Sequence, residues 1–234
     1  MFRASADAAT PLAPHDVPES RFGVWFQSTR LWRQYVLLET LDVLERLARP
    51  RARFARVLDA GCGCGLAFRL LRERFGASSV TGVDADAALI ARARREHAAE
   101  GEARLGDVRK LELPDSAFDL VLCHQTLHHV SAPAAALSEF RRVLAPGGVL
   151  LLAESCAPFL RMAWVRLLFR HPRGASRSAA DYVALVRDAG FALSESAVAT
   201  PAPRWAEPLF GLARRRSRDI TRAPLVCLAA TRPA

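Results

Sequence analysis

Apolar residues along the chain fall into short unbroken runs, separated by longer stretches in which they recur every three or four positions. The runs predict strands at 56–59, 79–84, 103–106, 118–124 and 148–154. The stretches between them predict helices at 66–75, 87–100 and 134–143. Strands that are apolar throughout, rather than alternating, belong to a sheet covered on both faces, and strand–helix repetition makes that sheet parallel. The expected fold class is therefore α/β, with helices on both faces of the sheet. Ligands of such sheets bind beyond the carboxyl ends of the strands, near the switch in strand order.

The pattern differs outside this repeat. Residues 1–20 are rich in Ala, Pro, Ser and Asp without a period, so they read as a flexible arm lacking the apolar area to offset ordering. From Ser28, the residues Leu31, Tyr35, Leu38, Leu41, Leu44 and Leu47 mark an amphipathic helix that Ser28 or Thr29 can cap and Pro50 ends. Phe22, Trp25, Phe26 and Trp32 crowd its start, where they either line a pocket or staple the helix to the core. These features divide the chain into an arm (1–20), an aromatic and helical cap (21–50) and a main domain (51–234), with a helical insertion at about 158–175. Late strands are expected at 191–198 and 225–230, and a further helix at 179–189.

The first strand runs into Asp59-Ala60-Gly61-Cys62-Gly63-Cys64-Gly65, and a helix follows. Alternating glycines let backbone approach a ligand that a side chain would exclude. A dinucleotide fingerprint would place its third glycine at position 66, which is Leu66 here. About twenty residues on, Asp84 and Ala85 end the second strand, where a carboxylate can accept both ribose hydroxyls. Asp107 and Val108 follow the third strand, placed to read an adenine edge. The fourth strand ends at Cys123-His124-Gln125-Thr126, and Pro146-Gly147-Gly148 leads into the fifth.

In order and spacing, residues 55–155 resemble the methyltransferase type 11 family of class I S-adenosylmethionine-dependent methyltransferases, which includes the ubiquinone and menaquinone enzymes. The resemblance implies a Rossmann-like seven-stranded, mostly parallel sheet whose last strand pair is antiparallel. It implies S-adenosyl-L-methionine as cofactor, with Asp59, Gly61, Cys62, Gly63 and Gly65 around the methionine part. Asp84 and Ala85 would take the ribose, Asp107 and Val108 the adenine, and His124 and Gln125 would sit beside the transferred methyl. His124 is the candidate catalytic residue, as a general base, or else it only hydrogen-bonds the cofactor or the loop. His128 and His129 read as structural. The expected partner is a small-molecule acceptor, hydrophobic or anionic. Cys123-His124-Gln125-Thr126 lacks the Asn or Asp with prolines and an aromatic ring by which amino-directed nucleic-acid enzymes grip a flipped base, so no nucleic acid is expected.

Composition adjusts this picture only slightly. Lys+Arg number 33 against 24 Asp+Glu, for a net charge of +9, yet Lys110 is the only lysine. An arginine and alanine bias of this kind is compositional, and it weakens the charge as a sign of an anionic partner. Arg214, Arg215, Arg216 and Arg218 form the densest basic run, which either draws a phosphate or carboxylate or is a solvated loop. Five cysteines in no disulfide spacing, and no leading apolar run, suggest a cytoplasmic protein. Cys62, Cys123 and Cys156 at strand ends allow a thiol site for a soft metalloid, or simple burial. Arginines interrupt every apolar stretch, so no spanning helix is expected. The segment 158–170, with Phe159, Trp164, Leu167, Leu168 and Phe169, suits a lid, a helix in peripheral contact with a membrane, or core packing.

Overall fold

Burial alternates along the fourth strand, sending Leu120 and Leu122 into one apolar cluster and Val121 and Cys123 into another. The sheet therefore has a packed face on each side. The computed structural model describes residues 20–27, 29–48, 53–170, 176–201 and 219–234. The basic run at 214–218, nearly all of the arm and the end of the expected insertion lie outside them.

Seven strands form one sheet in the order β3-β2-β1-β4-β5-β7-β6. They are β1 (Arg56–Ala60), β2 (Ser79–Asp84), β3 (Glu102–Leu105), β4 (Phe118–His124), β5 (Leu144–Ser155), β6 (Val198–Ala199) and β7 (Leu225–Thr231). Strands β1 to β5 pair in parallel, and β7 runs antiparallel to both β5 and β6. The order reverses between β1 and β4, so their carboxyl ends flank the crevice expected of such sheets.

Helices α3 (Glu39–Ala48), α4 (Phe68–Phe75) and α5 (Ala87–Glu96) cover one face through Leu41, Leu44, Phe68, Phe75 and Ile90. Helices α6 (Pro133–Val143) and α9 (Ala179–Asp188) cover the other through Leu137, Phe140, Tyr182 and Val186. Each fully buried side chain of this size contributes roughly 1.5–3 kcal/mol relative to exposure. Two caps fix helix starts: Asp86 accepts from the Ala88 and Leu89 amides at α5, and Ser178 and Asp181 form a capping box at α9.

The cap segment departs from a simple amphipathic helix. Helix α1 (Arg21–Gln27) precedes α2 (Arg30–Trp32), whose start Thr29 caps, and a π-helical segment at Arg33–Leu38 joins α2 to α3. The wider turn shifts the phase of everything before it. Leu37, Leu41 and Leu44 reach the core, whereas Leu31, expected on the same stripe, stands 62% exposed. Two other expectations are corrected. The 158–170 helix is broken at Arg161 and Met162 into α7 (Ala157–Leu160) and α8 (Ala163–Leu168). The strand expected at 191–198 reduces to a bridge between Ala192 and Thr231, and β6 begins only at Val198. The intervening residues turn locally: the Ala197 amide donates to the Ser194 carbonyl, a bond that closes a 3-10 turn in place of a ladder, and the Ser194 and Ser196 hydroxyls pair with each other.

Candidate functional site

A cleft of 440 Å³ opens at the carboxyl ends of β1, β2 and β4. The loop after β1 forms its floor. Amides of Gly61 and Cys62 donate to the Val83 carbonyl at 2.8 and 3.1 Å, and the Gly63 amide donates to Asp84 Oδ2 at 2.8 Å. Gly61 has φ +80°, and a Cβ there would overlap the Thr126 side chain. Gly63, at φ +52°, faces open space, which leaves backbone as the surface a ligand meets.

The expected site residues converge on this cleft with one exception. Asp59, Gly61, Cys62, Gly63, Asp84, Ala85, Asp107, Val108, His124 and Gln125 all line it. Gly65 does not; its α-carbon turns toward Phe68 and Ala93, so it spaces the loop from the helices behind it. Trp32, one of the aromatics expected either to line a pocket or to staple the helix, lines the cleft; Gln27, Leu37, Arg109, Thr126 and His129 line it too and were not singled out as ligand contacts from the sequence.

Asp59 is 2% exposed, and its Oδ2 is buried without a hydrogen-bond partner. Burial first, then the neighbouring Asp84 charge, pushes its carboxyl up to about 7. A buried, unsatisfied carboxyl oxygen in a cleft wall calls for a donor or a cation from the ligand. Asp84 accepts from the Gly63 and Asp86 amides, one on each oxygen, and burial raises its pKa despite these bonds. Each oxygen keeps a free lone pair for an incoming hydroxyl. Asp107 is clasped by Arg109, with Nε at 2.9 Å from Oδ1 and Nη2 at 2.6 Å from Oδ2. Burial opposes its ionisation, but the guanidinium prevails and holds Asp107 below the usual carboxylate range.

The far wall is set by β4 and the cap. His124 Nε2 lies 2.7 Å from Thr40 Oγ1, and the Thr40 hydroxyl donates to the Val36 carbonyl at 2.6 Å. Trp32 meets the same ring edge-on, with centroids 5.7 Å apart. Burial pushes His124 down to about 4, so the imidazole is neutral at physiological pH. Next in the chain, Gln125 adopts φ +54°, which turns the backbone sharply. Its side-chain oxygen accepts from the Ser155 hydroxyl at 2.6 Å. The turn delivers the Thr126 and Leu127 amides to Glu154 Oε1 at 2.9 and 2.7 Å, while His128 Nδ1 meets Oε2 at 2.6 Å. Glu154 is wholly buried. It anchors the turn from beneath, and a lone acidic residue inside the apolar run of β5 was the signal for it.

Cys62, Cys123 and Cys156 are buried free thiols, and desolvation raises all three. No group of three or more potential metal ligands occurs among the described residues.

The model of the methyltransferase domain family matches residues 58–152, the span from β1 to β5 that builds this cleft. By that match, residues 58–152 form a methyltransferase domain, similar to those of S-adenosylmethionine-dependent methyltransferases. Among curated methyltransferases, it is 40% identical over 118 residues to the malonyl-[acyl-carrier protein] O-methyltransferase of Enterobacter lignolyticus, a match covering 49% of this chain and 46% of that one. An uncharacterised 37.1 kDa protein of transposon TN4556 in Streptomyces fradiae is 32% identical over 219 residues, covering 84% of this chain and 59% of its own length. The chain thus spans about half the length of the curated relatives it matches. In fold it resembles a chain of the complex between the Haloferax volcanii Trm112 methyltransferase activator and its methyltransferase, with TM-score 0.68, 22% identity and coverage of 92% and 98%.

Proposed function

We propose that this protein transfers a methyl group from S-adenosylmethionine to a small apolar molecule. The observation that carries the proposal is the orphaned carboxyl oxygen of Asp59, set within a glycine-walled cleft beside a second carboxylate. That pair suits a ligand with an ammonium at one end and a ribose beyond it. Asp59 would meet the amino group, Asp84 and Ala85 the sugar, and Asp107, steadied by Arg109, the adenine amine, with the Val108 amide beside it. Gly61, Cys62 and Gly63 would pass their backbone along the methionine part. His124 and Gln125 would border the transfer end.

When bound, the cofactor supplies a methyl already activated by its sulfonium. The protein's task is then to align the acceptor and keep water out, and proximity of this kind is worth roughly 7–11 kcal/mol in favourable cases. Trp32 and Leu37 give the transfer end an apolar, aromatic wall, which supports an apolar acceptor. An anionic acceptor has less support, because Arg109, the arginine lining the cleft, is already engaged with Asp107. His124 is assigned to packing and hydrogen bonding: an imidazole near pKa 4 is a weak proton acceptor, unsuited to general-base duty.

Two measurements test the reading. Calorimetry with S-adenosylmethionine should show one site, and absence of binding would leave a fold without turnover. Incubation with methyl-labelled cofactor and an extract of the native cell should label a small organic-soluble molecule. Label in RNA or DNA would overturn the choice of acceptor.

A further inference from the structure

The large apolar side chains that stand exposed among the described residues are Phe22, Trp25, Leu31 and Leu167. Phe22 and Trp25 lie on α1, Leu31 on α2 and Leu167 on α8; α1 touches α2 and also meets the end of α8. The Phe22 and Phe26 rings meet Phe169 edge-on at 5.6 and 5.8 Å, and the Ser20 hydroxyl donates to the Leu168 carbonyl. The Thr29 amide and hydroxyl both donate to the Phe26 carbonyl, holding α2 against the end of α1. Trp25 is 60% and Leu167 83% exposed, and clustered exposed apolar groups mark interaction surfaces.

Charge around this face has one sign. The sequence contains no Asp or Glu at 20–38 or at 156–180. Arg30, Arg33, Arg161 and Arg166 are exposed there. Elsewhere arginines pair along their helices, as Arg69 does with Glu73 and Arg92 with Glu96, but these four make no ion pair among the described residues. A second copy of the chain would bring arginine against arginine. The combination of tryptophan, phenylalanine and leucine ringed by unopposed arginine matches the layer where acyl chains meet headgroups.

We propose that the face formed by α1, α2 and α8 docks on a lipid surface carrying anionic headgroups. Phe22, Trp25, Leu31 and Leu167 enter the acyl boundary, and the four arginines meet phosphate. Gln27 and Trp32, from the same segment, line the cleft, so docking turns its entrance toward the lipid. The proposal needs neither cofactor nor turnover, so it can fail while the methyl-transfer reading stands, and the reverse.

The test is co-sedimentation of the full chain with vesicles of phosphatidylcholine, alone or mixed with phosphatidylglycerol, at physiological ionic strength. Binding to the mixed vesicles should exceed that to neutral ones by about tenfold or more. The double variant Trp25→Ser/Leu167→Ser should lose about tenfold in binding to mixed vesicles while keeping the wild-type thermal unfolding curve, since both side chains are exposed. Equal binding by variant and wild type would mean that net charge alone draws the protein to the vesicles, and would overturn the proposal. So would no binding to mixed vesicles, or a dimer in analytical ultracentrifugation that Leu167→Ser dissolves.

Discussion

Replacing Asp59 by Asn should make the ligand-free protein more stable at alkaline pH while weakening its hold on the cofactor. The carboxyl has an unfolded value near 3.8 and is pushed up to about 7 in the fold. A raised acid retains its proton in the native state, so its contribution is neutral below 3.8. Stability is then lost progressively as pH climbs, and the loss is complete above about 7. The difference corresponds to about 4 kcal/mol as an upper bound. Asn keeps the shape and removes the charge, so most of that loss should disappear. In a domain of this size, each kcal/mol moves the melting temperature by about 2–4 °C. Urea unfolding of both proteins at pH 5 and pH 8 should show the variant gaining relative to wild type as pH rises. Cofactor binding should reveal the same proton: if an ammonium settles beside Asp59, wild-type affinity falls by about 25-fold between pH 7.5 and 5.5. The Asn variant should bind weakly at both values. Parallel stability profiles, or a variant whose affinity matches wild type at pH 7.5, would refute the reasoning.

Other substitutions probe other parts of the site. Gly61→Ala forces a Cβ into Thr126 at a left-handed position, and should lower unfolding free energy by about 2 kcal/mol as well as cofactor affinity. Glu154→Gln leaves the Thr126–His128 turn without its buried charge and should cost about 3 kcal/mol in urea unfolding, whereas a loss under about 1 would show the turn to be self-supporting. Asp84→Ala should reduce cofactor affinity by calorimetry, both by removing the sugar contact and by freeing the Gly63 amide. His124→Ala should slow turnover with little change in affinity; because His124 titrates near 4, an inflection near pH 6.5 that this variant abolished would contradict its assignment.

The sheet was legible because its strands are apolar on both faces and bounded by glycine, proline or aspartate. That Asp59, Gly61, Gly63, Asp84, Asp107 and His124 face one cleft was legible because spacing from strand ends fixes where such residues must stand. What escaped depends on geometry that local pattern does not encode. A 3.6-residue period cannot announce the π-helical turn that swings Leu31 outward. The pairing of Thr40 with His124 joins residues 84 positions apart. Gly65 belongs to the glycine pattern yet serves packing, since only the loop's path shows which glycine meets the cleft. The strand expected at 191–198 failed because alternation was counted through serines that bond locally.

The matched domain begins at residue 58, yet Trp32 and Leu37 lie upstream of it. One end of the cleft is thus furnished by the matched span and the other by helical segments that precede it. Exchanging those segments would change which molecules fit without disturbing the grip on the methyl donor.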